Sequence, residues 1–301
     1  MPGTNAAYLE QLSRLKKWTG PAVGTHMTIN TEWGGFRAPS LPRVEADVFV
    51  DLNSVNPGAQ TFEKMLSGLY LGRLAVRTLL QADAEAEAPF FDADTRAQLE
   101  RPDSFPTPLV AAVDADRCVG DRRDTCVWRC EHLTPPLYGC LHSSSDLVTA
   151  AAALQTVLGK SLAPRTVALV KEVCHLVTRR AARLAAAGVV AVLAHMDAAL
   201  PHDKSADTAP ATVAVDGGAC PCLCVDVALP APAHTDAPWS RFVTQRSMRV
   251  RRAGLFEHHT VFAATLCDTV KEMGVSAVLR LTPDGSGVGA ALLAAAAANK
   301  S

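Results

Sequence analysis

The chain has 301 residues, 49% hydrophobic and 20% charged, with a formal net charge of −1. That length supports a sizeable core in one large domain or two small ones, and the balanced charge gives no global field to draw in nucleic acid or anionic lipid. The opening MPGTNAAYLEQL has neither the basic nor the apolar segment of a secretory leader. The alanine-rich runs near 181–199 and 290–298 are too short, too small or too interrupted for a membrane helix. No nucleic-acid or membrane partner is expected.

Residues 27–33, MTINTEW, alternate polar and apolar positions and predict a strand that ends at Gly34-Gly35. Residues 48–52, VFVDL, predict a short extended piece, and 53–60, NSVNPGAQ, are turn chemistry. Phe62, Met65, Leu66, Leu69 and Leu74 then recur at helical spacing and predict one amphipathic helix, with Pro57-Gly58 as its lead-in. Residues 81–150 are rich in Asp, Arg and Pro and predict short helices at best. A second long helical pattern covers 164–195, from Pro164 through Val167, Val170, Val173, Cys174 and Val177 to Leu184, with Gly188 as an interruption. Residues 211–217 predict a strand and turn, 228–254 carry too many Pro, Gly and Arg residues to assign, and 275–282 predict a strand. DGSGVG at 284–289 follows as a turn, then a small-residue helix. Strands alternating with helices imply an α/β domain.

The nine cysteines are odd in number and scattered, which fits a reducing compartment better than a disulfide scaffold. Cys220, Cys222 and Cys224 would share one face of a strand, and Cys118, Cys126, Cys130 and Cys140 are irregularly spaced near His132 and His142. Neither group has zinc-site spacing, so both are read as buried or idle thiols and no metal site is assigned.

Two carboxylates stand out by position. Glu32 falls beside Trp33 and the Gly-Gly turn, and Glu63 falls in the first turn of a helix. From position alone the preferred readings are an exposed strand end for Glu32 and a first-turn charge favoured by the helix dipole for Glu63. DGSGVG could turn backbone N–H groups toward a phosphate, but it lacks the spacing of either common nucleotide loop, and a tight connection explains it as well. Arg246, Arg249, Arg251 and Arg252 in RSMRVRR are read as a solvated face or loop.

Six stretches together resemble the hexokinase family, in its order: GTNAAYLE at 3–10, NTEWGGF at 30–36, LNSVNPGAQTFEKMLSGLYLG at 52–72, VCHLVTRRAARLAAAG at 173–188, VAVDGG at 213–218 and DGSGVGAALL at 284–293. The NSVNPGAQTFEK wording is similar to kinetoplastid hexokinases. The resemblance implies an actin-like ATPase (ribonuclease H-like) α/β fold, here the large domain without most of the small one. The whole chain, 1–301, would be a hexokinase C-terminal domain truncated at its N-terminus, with 228–254 an insert-like stretch. It implies ATP-dependent phosphorylation of the 6-hydroxyl of a hexose such as glucose, at the entry to glycolysis, with ATP and Mg²⁺ as cofactors. Carried over by position, Asn5, Glu32, Gln60 and Glu63 would bind the sugar, and Gly3, Thr4, Thr107, Asp216, Gly217 and Gly218 the nucleotide. Gly218 and Ala111 stand where the family often has serine. The family's catalytic Asp and first phosphate loop lie upstream of the matching stretches, so no catalytic residue is assigned here and little activity is expected of the chain alone. The alternative is a non-catalytic glucose-binding or regulatory protein. Expected partners are a hexose, ATP, and either a second copy or an N-terminal half. The expected compartment is the cytoplasm, or the glycosome if the kinetoplastid wording reflects kinship.

Overall fold

The computed structural model describes residues 4–20, 24–115, 147–197, 211–216, 248–251, 255, 258–275 and 277–281. They divide into two compact units, Met1–Tyr70 with Arg179–Ser301, and Leu71–Thr178. The turn expected at DGSGVG, the helix expected after it, and all the cysteines except Cys174 and Cys267 lie outside the described residues.

The first unit is built on a five-stranded sheet in the order β2-β1-β4-β3-β5. Its strands are β1 (Asn5–Gln11), β2 (His26–Asn30), β3 (Ala211–Asp216), β4 (Met248–Arg251) and β5 (Ala277–Leu281). β1 pairs antiparallel with both β2 and β4, and β3 runs parallel to β4 and β5. β4 was not foreseen. Its backbone is paired on both sides, so this part of RSMRVRR is an inner strand rather than a solvated loop. α8 (Thr260–Glu272) connects β4 to β5 and buries Phe262, Leu266, Thr269 and Val270 at helical spacing.

Three expectations between residues 27 and 74 need correction. The strand expected at 27–33 ends at Asn30, and Trp33–Gly35 form a 3₁₀ turn. The extended piece expected at 48–52 is the end of a helix, α1 (Glu45–Leu52). Val48, Phe49 and Val50 favour strands in isolation, but local and tertiary bonds to Asp47 override that preference. Its carboxylate accepts the Val44 N–H at 2.7 Å and is gripped by both Arg180 nitrogens at 2.9 and 2.6 Å. The single helix expected from Phe62 to Leu74 is two, α2 (Thr61–Leu66) and α3 (Leu71–Glu85). Ser67 leaves α2 with extended backbone, and Gly68 packs on Leu255, where a Cβ would sit 3.5 Å from Cγ. Leu69, read as core, is 40% exposed at this break.

A buried ion pair ties α1 to α2. Lys64 Nζ, on a residue only 2% exposed, donates to Asp51 Oδ1 at 2.6 Å and to the Asn56 carbonyl at 2.7 Å. Asp51 also accepts the Gly58 N–H at 3.0 Å and the Arg43 guanidinium at 3.4 Å. The turn from 53 to 60 is therefore wrapped around one ammonium and one carboxylate. Burial opposes ionisation of Asp51, but the Lys64 and Gly58 donors outweigh it and hold the carboxyl below its ordinary range.

The second unit is helical: α3, α4 (Ala93–Leu99), α5 (Thr107–Asp114), α6 (Val148–Leu158) and the start of α7 (Pro164–Asp197). Asp83 on α3 is 2% exposed and accepts the Phe90 and Phe91 N–H groups and the Arg96 guanidinium, which fixes the connection to α4. α7 runs 34 residues without the interruption expected at Gly188. A Cβ there would stand 2.9 Å from the Trp33 ring, so the glycine permits a close approach rather than ending a helix.

Two substitutions test this packing. Gly72→Ala would put a methyl group 1.9 Å from the Phe105 carbonyl oxygen. It should lower the urea unfolding free energy by about 1–3 kcal/mol, despite alanine's better helix propensity. Lys64→Met should cost about 3–5 kcal/mol at neutral pH, because it leaves a buried carboxylate without its main partner. Asp51's depressed folded pKa makes its contribution present at neutral pH and lost as the pH falls through and below the ordinary carboxylate value of about 3.9. The gap between wild type and Lys64→Met should therefore narrow as the pH falls. A pH-independent gap in the unfolding curves would contradict this.

Candidate functional site

Three polar side chains meet where β1 begins and β2 ends. In the antiparallel register Ala7 faces Asn30, which brings Asn5 and the residues after Asn30 to the same end of the pair. Thr31 fastens that end, its N–H and hydroxyl both donating to the Ala6 carbonyl at 2.9 and 2.8 Å. Asn5 Nδ2 donates to Asn30 Oδ1 at 2.5 Å and to Glu32 Oε1 at 3.2 Å. Asn30 Nδ2 donates to the same Glu32 oxygen at 2.6 Å. Two of the predicted sugar residues, Asn5 and Glu32, are thus in direct contact. Asn30, which sequence reasoning did not single out, lies between them.

The other two, Gln60 and Glu63, come to the turn from α2. They meet it at Gly34, two residues beyond Glu32. A Cβ on Gly34 would lie 2.7 Å from Gln60 Oε1 and 3.0 Å from Glu63 Oε2. Any side chain at that position would displace both groups, so the first glycine of the Gly-Gly pair is required by packing. Glu63 is in the first turn of α2, as expected.

Backbone conformation marks the same residues. Glu32 has φ 48° and ψ 39°, and Gln60 has φ 52° and ψ 42°. Both are left-handed, and the only other described non-glycine residue with positive φ is Asp103. Such a conformation costs roughly 1–2 kcal/mol per residue and persists only where neighbours impose it. For Glu32 the neighbour is Trp33, 7% exposed, with its ring edge-on to Phe62 at 6.0 Å and its indole N–H on the Thr4 hydroxyl at 2.9 Å. For Gln60 it is the turn held by Lys64 and Asp51.

Of the predicted nucleotide residues, Thr4 is 4% exposed and its hydroxyl accepts the Trp33 indole, so it supports the turn. Thr107 opens α5 in the second unit, and Asp216 ends β3 opposite Arg251. Gly3, Gly217 and Gly218 lie outside the described residues. Among the described residues no group of His, Cys, Asp or Glu could hold a metal ion. None of the described helices is long and apolar enough to cross a membrane.

Residues 2–222 match the hexokinase family model. Hexokinase-2 of Oryza sativa subsp. japonica is 33% identical over 302 residues, which covers 98% of this chain and 47% of that protein. Hexokinase-1 of Nicotiana tabacum is 34% identical over 300 residues, covering 97% of this chain and 47% of its own length. The chain thus spans about half the length of the relatives it matches. Among solved structures, hexokinase from Schistosoma mansoni complexed with glucose superposes with a TM-score of 0.59 at 22% identity, over 93% of this chain and 48% of that one. A second hexokinase crystal structure gives 0.62 at 21% identity, over 95% and 46%. These likenesses give the fold as the hexokinase-type, actin-like α/β fold, present in part. Sequence match and fold agree: the chain belongs to the hexokinase family.

Proposed function

We propose that this chain supplies the hexose-binding surface of an ATP-dependent hexose 6-phosphotransferase. The observation that carries the proposal is the Asn5–Asn30–Glu32 cluster, set at the turn whose Gly34 lies against Gln60 and Glu63. A hexose is distinguished from its epimers by acceptors and amides placed on several hydroxyls at once, because a wrong sugar leaves buried partners unpaired. Two carboxylates and two carboxamides offer that set. In this reading Glu32 and Glu63 accept hydrogen bonds from sugar hydroxyls, Gln60 donates to a hydroxyl oxygen, Asn5 exchanges its 3.2 Å bond to Glu32 for one to the sugar, and the sugar is fixed for in-line transfer.

ATP would supply the transferred phosphoryl group and Mg²⁺ would neutralise its β- and γ-oxygens. Thr107 and Asp216, with Gly3, Gly217 and Gly218, are proposed on the nucleotide side by family position alone. The described residues offer no metal-ligand cluster, so no magnesium ligand is assigned to them.

Turnover by these 301 residues alone is expected to be low. Glu32 and Glu63 act as hydroxyl acceptors in this reading. Asp51 is 7% exposed, with its oxygens engaged by Lys64, Gly58 and Arg43, so it is not free to take a proton. A positioned base typically contributes about 10²–10⁴-fold in rate. Among the described residues the site thus offers hydroxyl-binding groups and no assigned base, so it is expected to bind hexose better than it phosphorylates it.

Glucose titration, read by calorimetry, should give saturable binding that Glu32→Gln weakens by about tenfold or more. Binding indifferent to Glu32→Gln would sink the proposal, as would robust glucose 6-phosphate formation that survives it. Gln60→Gly provides an independent check. Glycine relieves the left-handed strain of about 1 kcal/mol but gains chain entropy on unfolding, so stability should change by less than about 1 kcal/mol. Hexose affinity should nevertheless fall about tenfold. A large stability loss with unchanged affinity would assign Gln60 a structural role instead.

A further inference from the structure

We propose that Asn30 is a positioning residue for the sugar end of the site, the middle link of a one-way hydrogen-bond relay that decides which Glu32 oxygen is free. The inference rests on the hexose-binding reading above and concerns a residue outside the set of four.

The relay starts at the backbone. The Ala6 N–H donates to Asn5 Oδ1 at 2.8 Å. A backbone N–H can only donate, so it fixes the Asn5 carboxamide with its oxygen toward β1 and its NH₂ group toward Asn30. Asn30 must then turn its own oxygen to Asn5, which leaves its NH₂ group on Glu32 Oε1. The opposite Asn30 orientation would set a carbonyl oxygen against a carboxylate and an NH₂ group against an NH₂ group, so it is excluded at both contacts. The direction of every bond follows from one amide in β1.

The end of the relay has a chemical consequence. Glu32 Oε1 receives both carboxamides, from Asn5 at 3.2 Å and from Asn30 at 2.6 Å. Oε2 carries no such load and is left to accept a hydroxyl. Asn30 Nδ2 has two hydrogens and gives one to Glu32, so its second N–H is available to a hydroxyl oxygen. Asn30 is exposed at the last position of β2, so its amide is not part of the core. A donor beside a free carboxylate oxygen suits a hydroxyl that both gives and accepts a hydrogen bond. Bonds to a charged acceptor are the stronger kind, so the relay holds Glu32 firmly.

The test compares glucose affinity at pH 5 to 8 for wild type, Asn30→Ala, Asn30→Asp and Glu32→Gln, with thermal unfolding of each. Asn30→Ala should weaken binding about tenfold relative to wild type at every pH, with little change in melting temperature. Asn30→Asp replaces the donor with a second carboxylate against Oε1. Like charges that close share a proton readily. This variant should bind worse than Asn30→Ala at pH 8 and recover toward wild type at pH 5, a pH dependence that a merely structural role would not create. If Glu32→Gln loses binding but Asn30→Ala stays within about twofold of wild type, or Asn30→Asp shows a pH-independent loss, the relay is wrong and the hexose reading stands. If wild type does not bind, or Glu32→Gln binds as wild type does, both fall together.

Discussion

Trp33 is held on three sides, and the candidate site is arranged around it. Its indole N–H is bonded to Thr4 just before β1, its ring makes a T-shaped contact with Phe62 of α2, and its six-membered ring lies close to Gly188 of α7. Those contacts fix the residue on either side. Glu32 is forced into a left-handed conformation, and Gly34 is pressed against Gln60 and Glu63. One buried ring therefore sets the backbone that carries two groups of residues from distant parts of the sequence. Phe36 adds a second edge contact to Phe62 at 5.9 Å, which extends the same aromatic cluster to the far end of the turn.

Strain and support are spatially matched. Two left-handed residues would be unfavourable in an isolated loop by a few kcal/mol together. Here each is backed by a buried, fully specified interaction: the Trp33 indole for one, and the Lys64–Asp51 pair for the other. A buried ion pair is weak evidence for net stability, since desolvation offsets most of its attraction. Its value here is geometric. Lys64 and Asp51 between them bind Asn56 and Gly58, which dictates the path of the turn and delivers Gln60 to Gly34 in one conformation. Polar groups held in place before a ligand arrives lose less entropy when it binds.

The family was legible in the sequence because its matching stretches are short, ordered and of unusual wording, and the same stretches supply the four residues proposed to bind the sugar. Helix and strand types were legible where periodicity was long, and also in the short β-branched runs at 211–217 and 275–282, which form β3 and β5. The 34-residue α7 is the clearest case, apart from Gly188, whose packing partner Trp33 lies far away in sequence and could not be inferred from local pattern. The α1 helix was missed because Val48 and Val50 favour strands and the Arg180 that holds Asp47 is more than a hundred residues distant. The α2–α3 break at Ser67 was missed because Leu69 continues the apolar spacing into a position that is exposed. β4 was hidden in an arginine-rich stretch whose backbone pairing, not its composition, places it inside the sheet. Asn30 stood in a quoted stretch, but nothing local reveals that its amide joins Asn5 to Glu32.

On the proposed function, the turn from Asn30 to Gly34 and the start of α2 form a single hexose-recognition surface. A crystal structure of the chain grown with glucose tests it most directly. The sugar should lie with its hydroxyls within hydrogen-bond distance of Glu32, Glu63, Asn5 and Gln60, and with Asn30 still bonded to Glu32 Oε1. A glucose bound elsewhere, or one that reaches Glu32 and Asn5 while Gln60 and Glu63 stay out of contact, would contradict it.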